Sequence, residues 1–163
     1  RWALIFGYPV NNPEDFGVAY LHGDKVTSIK EKPKNSKSNL AIPGLYFYDE
    51  NALDYVQKLR KSKRGEYEIT DLNKIYLKKG LLNIHNLGRG FAWLDTGNHS
   101  SLLTASNFIQ TIEDRQDLKV ACLEEIAISN KWLSVDKLRS ILKNKPKSSY
   151  YEYLRRIAKD DSI

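Results

Sequence analysis

Methionine is absent from this 163-residue chain, and cysteine occurs once, at Cys122. A single thiol excludes a disulfide framework, and a reducing cytoplasm is the compartment that fits. Cys122 lies in Val120-Ala121-Cys122-Leu123, which reads as a small buried hydrophobe rather than a reactive thiol. Long apolar runs are missing too: none approaches the roughly 18 residues of a membrane span, so no membrane partner is expected. The three histidines, His22, His85 and His99, have neither metal-ligand spacing nor a nucleophile partner, which argues against zinc and triad chemistry. A concentrated charge is also lacking. The net charge is +6, but residues 1–81 carry 14 basic against 10 acidic side chains and residues 82–163 carry 12 against 10. The excess is spread rather than striped, so a nucleic-acid partner is not expected.

What is present is a mixed pattern followed by a helical one. Trp2–Tyr8 read as a continuous apolar strand, and Val18–Leu21 and Val26–Ile29 flank His22-Gly23-Asp24-Lys25, a hairpin signal. Leu40–Tyr48 read as one long aromatic-rich strand in which Pro43 requires an edge position or a bulge. Tyr46 lies on it, with Phe47 and Tyr48 expected in the core. Asn51–Lys61 carry a helical spacing, a second helix capped by Thr70 or Asp71 runs to Leu77 and ends at Gly80, and Leu82–Leu87 return as a strand. From His99 the period is helical, with Leu102, Leu103, Phe108, Ile109 and Ile112 as an apolar face, followed by helices over Leu123–Asn130, Ser134–Asn144 and Ser148–Lys159. These elements divide near Lys119 into a mixed β-rich part, 1–119, and a helical tail, 120–163.

The chemistry concentrates in Gly88-Arg89-Gly90-Phe91-Ala92-Trp93-Leu94-Asp95-Thr96-Gly97-Asn98-His99. Phe91–Leu94 read as a buried strand that delivers Asp95 to the turn before a helix. On spacing alone Asp95 caps that helix or tightens the turn. As a metal ligand it would need a partner, because Mg²⁺ is normally held by one or two carboxylates together with substrate phosphates.

Taken with Phe16-Gly17-Val18, Glu31-Lys32-Pro33-Lys34, Gly44-Leu45-Tyr46-Phe47-Tyr48-Asp49 and Arg64-Gly65-Glu66-Tyr67-Glu68-Ile69-Thr70-Asp71, this segment resembles the glucose-1-phosphate thymidylyltransferase family. The likeness runs in order from about Trp2 to Arg156. It implies a mixed-sheet α/β nucleotide-diphospho-sugar transferase fold with a helical C-terminal tail, and an enzyme that joins dTTP and glucose 1-phosphate with Mg²⁺. It also implies a place in supplying activated sugars such as dTDP-rhamnose for cell-surface polysaccharide, and a homotetramer whose helical tail serves assembly and an allosteric nucleotide site. The family's Gly-rich, Arg-containing triphosphate loop and its second metal-binding Asp do not occur in this sequence. Beginning at Arg1 within an apolar strand pattern, the chain reads as the C-terminal part of a longer enzyme, truncated at the N-terminus and inactive alone. A non-catalytic regulatory or oligomerisation domain is the alternative.

The resemblance assigns roles residue by residue. Lys32 would neutralise the sugar phosphate and Glu31 would accept hydrogen bonds from sugar hydroxyls. Gly17 would offer its backbone N–H at close approach, with Phe16 as a wall. Tyr46 would reach phosphate or hydroxyls through its phenol, Arg64 would contact phosphate bidentately, and Asp95 would hold Mg²⁺. Lys32 and Arg64 are the catalytic pair. Glu66 is expected to orient Arg64, while Arg89 reads equally as a phosphate contact or a structural bridge.

Overall fold

The computed structural model describes residues 2–159, in two compact units, Arg1–Trp93 and Leu94–Ile163. The first is a mixed six-stranded sheet with two helices. Its centre is β1 (Ala3–Pro9), whose alternate residues Ala3, Ile5 and Gly7 are buried, as a half-buried strand requires. The hairpin β2 (Gly17–His22) and β3 (Lys25–Glu31) turns at Gly23-Asp24 and pairs Gly17 with Glu31. A short β4 (Leu40–Ala41) joins β2 to β1, and β5 (Tyr46–Tyr48) lies antiparallel on Ala3–Ile5 of β1. The parallel strand β6 (Leu82–Asn86) pairs with β1 from Ala3 to Gly7.

The long strand expected over Leu40–Tyr48 is therefore two strands. The register on β1 slips by two residues between β4 and β5, and the extra length is taken up where Pro43 and Gly44 stand. Proline cannot supply a ladder donor, so the strand bulges there. Phe47 is not a core residue either: it is about half exposed, on the face of β5 opposite Tyr46 and Tyr48.

The helix α1 (Ala52–Val56) is shorter than its sequence pattern. By contrast α2 (Ile69–Lys78) is regular, and it packs Leu72 and Tyr76 with Ala3 into one apolar cluster beside a second cluster of Ile5, Ala19, Ile29 and Ile42. Its N-cap is Glu68, not Thr70 or Asp71. Thr70 lies inside the helix with its hydroxyl committed to a residue on β3, as described below.

In the second unit α3 (His99–Gln116) opens on Asn98, whose side chain accepts from the Ser101 N–H while the Ser101 hydroxyl answers the Asn98 N–H. This reciprocal cap satisfies two otherwise orphaned donors. The helices α4 (Leu123–Ser129), α5 (Val135–Leu142) and α6 (Ser149–Ile157) close over Cys122, Ile128, Leu138, Leu142, Tyr153, Leu154 and Ile157. Cys122 is buried there, as its apolar neighbours suggested. Glu125 accepts a hydrogen bond from Tyr153 at 2.7 Å and Glu124 accepts one from Tyr150, tying α4 to α6. Helix α3 clusters with this unit, although its apolar face is largely open: Leu102 and Leu103 are more than half exposed. No helix among the described residues is long and apolar enough to cross a membrane.

Candidate functional site

The β2–β3 ladder brings four of the expected site residues together. Gly17 opposes Glu31, and the Lys32 N–H donates to the Phe16 carbonyl at 2.9 Å, so Phe16-Gly17 and Glu31-Lys32 form one edge. Beyond Glu31 the chain leaves the strand sharply. Lys32 takes φ 42°, the left-handed region, immediately before Pro33. A non-glycine residue in that region is strained, and such strain concentrates at functional positions. Its effect is to swing the Lys32 side chain out of the ladder, where the ammonium has no ion pair or hydrogen bond among the described residues.

Glu31 is held from the opposite direction. Thr70, buried on α2, donates its hydroxyl to Glu31 Oε2 at 2.5 Å, and Arg64 Nη1 stands 3.8 Å from Oε1. The Arg64 guanidinium also meets Glu66 Oε2 at 2.8 Å and Glu68 Oε1 at 3.6 Å. Glu66 thus orients Arg64, as the adjacent charges suggested, and Glu68 is itself fixed by the Ser62 hydroxyl at 2.8 Å. Only the Glu66 contact is short enough for a strong hydrogen bond. Nη1 stays at ion-pair distance from its two carboxylates, so the expected phosphate contact must share the guanidinium with three anions.

Gly17 is required by space. A methyl group on it would lie 3.1 Å from Thr70 Oγ1 and 3.2 Å from Glu31 Oε2, on top of that pair. Tyr46 stands near the same carboxylate: burial, with the Glu31 charge second, raises its phenol above the ordinary tyrosine range. Its ring stacks on Tyr48 at 5.9 Å and 15°, and Tyr48 donates to Asn73 Oδ1 at 2.6 Å.

Phe16 meets the Trp93 ring at 4.9 Å, and Tyr8 meets Trp93 at 5.8 Å while donating to the Phe91 carbonyl. The expected strand over Phe91–Leu94 does not form. Trp93 serves ring contacts instead of a ladder, and Phe91 is 58% exposed. Arg89 lines a cleft of about 630 Å³ with Tyr8, Leu40, Asn86 and Phe91, and no ion pair of its own is present among the described residues.

Asp95 belongs to the second unit. It is exposed, and Asn98 takes the helix cap that spacing had offered to Asp95. A methyl group on Gly97 would fall 3.1 Å from Asp95 Oδ2, so the missing side chain leaves the carboxylate room to lie over the turn. An exposed hard oxygen donor without an internal partner suits Mg²⁺. Among the described residues no group of three His, Cys, Asp or Glu could hold a metal, so Asp95 would be one ligand and not a complete cage.

The sequence did not single out Thr70 and Asn73 as the partners of Glu31 and Tyr48. Both lie on the buried face of α2, and their spacing of three residues marks that face, but nothing in the local sequence points to Glu31 or Tyr48.

The family described as Nucleotidyl transferase matches residues 2–112, which covers the whole Phe16–Lys32–Arg64–Asp95 set. The chain belongs to the nucleotidyl transferase family. Curated relatives named glucose-1-phosphate thymidylyltransferase include one from Neisseria meningitidis, 49% identical over 96% of this chain and 55% of the relative. Another, from Xanthomonas campestris, is 50% identical over 99% of this chain and 55% of the relative. The chain therefore spans about half the length of the curated relatives it matches. Among solved structures, one described as a candidate glucose-1-phosphate thymidylyltransferase of Bacillus anthracis in complex with sucrose aligns with TM-score 0.59 and 41% identity. It covers 66% of this chain and 43% of that one. A UDP-glucose pyrophosphorylase complexed with UDP-glucose, at TM-score 0.58 and 21% identity over 68% of this chain and 44% of that one, shares the fold. The mixed sheet with its helices is thus the nucleotidyl transferase sheet of sugar-nucleotide enzymes.

Proposed function

We propose that this chain is the sugar-phosphate-binding part of a glucose-1-phosphate thymidylyltransferase. The intact enzyme makes dTDP-glucose and pyrophosphate from dTTP and glucose 1-phosphate. The single observation that carries this reading is the Gly17–Glu31–Thr70 arrangement, in which a glycine gap lies over a carboxylate aligned by a hydroxyl, with the unpaired Lys32 ammonium one residue away. The close curated relatives support the same chemistry.

In the reaction a phosphate oxygen of glucose 1-phosphate attacks the α-phosphorus of dTTP in line, and the bond to the departing pyrophosphate breaks. Two anions must meet, so positioning and charge carry most of the catalysis. Lys32 places a compact charge against the sugar phosphate. Arg64 adds a planar cation whose Nη1 is still beyond hydrogen-bond distance of its carboxylates. Glu31, its Oε2 already accepting from Thr70, offers remaining lone pairs to sugar hydroxyls, and the Gly17 backbone approaches where any side chain would intrude. Phe16 walls the pocket, and the Tyr46 phenol, neutral as any ordinary tyrosine is near pH 7, donates to the phosphate or hydroxyls of the sugar phosphate. Asp95 would hold Mg²⁺, which when bound offsets charge on the triphosphate.

The division is a sugar-phosphate part over 1–119 and a helical tail over 120–163 that serves homotetramer assembly. Support for an assembly surface comes from Leu123 and Trp132, which are 71% and 77% exposed. The setting is cytoplasmic synthesis of activated sugars for polysaccharide, dTDP-rhamnose among them.

Pyrophosphate release from dTTP and glucose 1-phosphate tests the reading. The full-length gene product should require both substrates and a divalent cation, and the 163-residue chain alone should give no rate above a protein-free control. Turnover by the isolated chain, or none by the full-length product, would sink it. Turnover by the full-length gene product separates the alternative of a purely assembling domain, which predicts oligomers by light scattering and no turnover from that product either.

A further inference from the structure

Two polar side chains are buried among the described residues, Thr70 and Asn73, and they stand one turn apart on the inner face of α2. Thr70 fixes Glu31 on β3. Asn73 makes the corresponding contact to β5: its Oδ1 accepts from the Tyr48 hydroxyl at 2.6 Å. Tyr48 is further wedged against Tyr76, with ring centroids 5.4 Å apart, and Tyr76 donates to Asp49 at 2.7 Å.

Tyr46 has no such anchor. Its phenol makes no hydrogen bond among the described residues, and its ring is held by near-parallel stacking on Tyr48 and by packing on the cluster of Ile5, Ala19, Ile29 and Ile42. Tyr48 is the ring on which Tyr46 stacks, so whatever holds Tyr48 helps to set where the Tyr46 phenol points. Asn73 does so at a cost, because its Nδ2 is buried without a partner. An apolar side chain there would leave no amide donor unsatisfied. Packing alone does not explain an asparagine at this position; an acceptor aimed at Tyr48 does.

We infer that Asn73 is a positioning residue of the sugar-phosphate site, acting through Tyr48 on Tyr46, so that one helix aligns Glu31 on β3 and Tyr46 on β5 together. This rests on the proposed function for its substrate. It adds a role for two residues, Asn73 and Tyr48, that do not touch the sugar phosphate themselves.

The test is steady-state kinetics on the full-length gene product carrying Tyr48→Phe, Asn73→Ala and the pair. Tyr48→Phe removes one hydroxyl and keeps the ring stack, so it carries the test even where Asn73→Ala fails to fold. Each single variant should raise KM for glucose 1-phosphate about fivefold to tenfold, the size expected from one lost hydrogen bond. KM for dTTP should move less than about twofold, and the double variant should match the worse single, because both members act as one unit. Unchanged KM for glucose 1-phosphate in Tyr48→Phe, a parallel rise in both KM values, or additivity in the double variant overturns the inference while leaving the proposed function intact. If the wild-type protein does not use glucose 1-phosphate, both fall.

Discussion

Gly17→Ala is the most informative small change in this chain, because it adds one methyl group at the point where the site is built. Gly17 does not occupy the left-handed region, so alanine is tolerated by the backbone, and the perturbation is purely one of space. The new carbon would sit 3.1 Å from Thr70 Oγ1 and 3.2 Å from Glu31 Oε2, a few tenths of an ångström inside ordinary contact. Those two oxygens are themselves only 2.5 Å apart, so they cannot both retreat without loosening their hydrogen bond or turning the carboxylate. Overpacking typically costs about 1–3 kcal/mol, and the low end applies because Glu31 is partly exposed and can move. Alanine also restricts the unfolded chain, which returns about 0.4–1 kcal/mol. Net stability should therefore change by less than about 1 kcal/mol, a shift of a few degrees at most in a domain of this size. Catalysis should suffer more. A displaced Glu31 and a blocked Gly17 N–H both act on the sugar, and ångström-scale misplacement can cost about a hundredfold, so tenths of an ångström predict roughly tenfold in kcat/KM for glucose 1-phosphate. The assay pairs calorimetry with initial rates in which each substrate is varied in turn. Unaltered kinetics for glucose 1-phosphate would refute the reasoning, as would an equal loss for both substrates accompanied by a large fall in Tm.

Three further outcomes follow from the same geometry. Asp95→Asn in the full-length gene product keeps the side chain's shape and removes its charge, so kcat should fall at least tenfold and the Mg²⁺ requirement should rise, read by titrating the metal at saturating substrates. Burial first and then the hydrogen bond to Glu125 push the Tyr153 phenol up to about 12. A raised folded pKa adds stability that is complete below the unfolded value of about 10 and is lost as pH climbs through 12. Tyr153→Phe should accordingly flatten the loss of Tm between those pH values, with an unchanged slope counting against the assignment. Asn98→Ala breaks the reciprocal cap of α3 and should cost about 1 kcal/mol, measurable as a lower midpoint in urea with the slope unchanged.

Much of the architecture was legible in the sequence because periodicity is a local signal. The β2–β3 hairpin, α2, the strand after Gly80 and the four C-terminal helices lie within a few residues of where alternation and helical spacing put them. Phe91–Leu94 were misread because an apolar run records that residues make contact, not how: Trp93 is held by the rings of Phe16 and Tyr8, which the run cannot reveal. Thr70 shows the same limit from the opposite side. A threonine at the start of a helical pattern reads as a cap, yet its partner Glu31 lies 39 residues away, and tertiary hydrogen bonding overrides the local preference. The pairing of Arg64 with Glu66 could be anticipated from adjacency, whereas its reach to Glu31 could not. The Glu31-Lys32-Pro33 sequence announced a turn, whereas the left-handed backbone of Lys32 is set by the folded chain around it.

The central claim, that the strained turn after β3 presents Lys32 to the phosphate of a sugar phosphate, is tested most directly by Lys32→Ala in the full-length gene product. Loss of a charge-assisted hydrogen bond of about 1.5–3 kcal/mol should lower kcat/KM for glucose 1-phosphate roughly tenfold to a hundredfold, while kcat/KM for dTTP measured at saturating sugar phosphate stays within about threefold. A raised KM for dTTP with glucose 1-phosphate spared would place Lys32 on the triphosphate and contradict the claim.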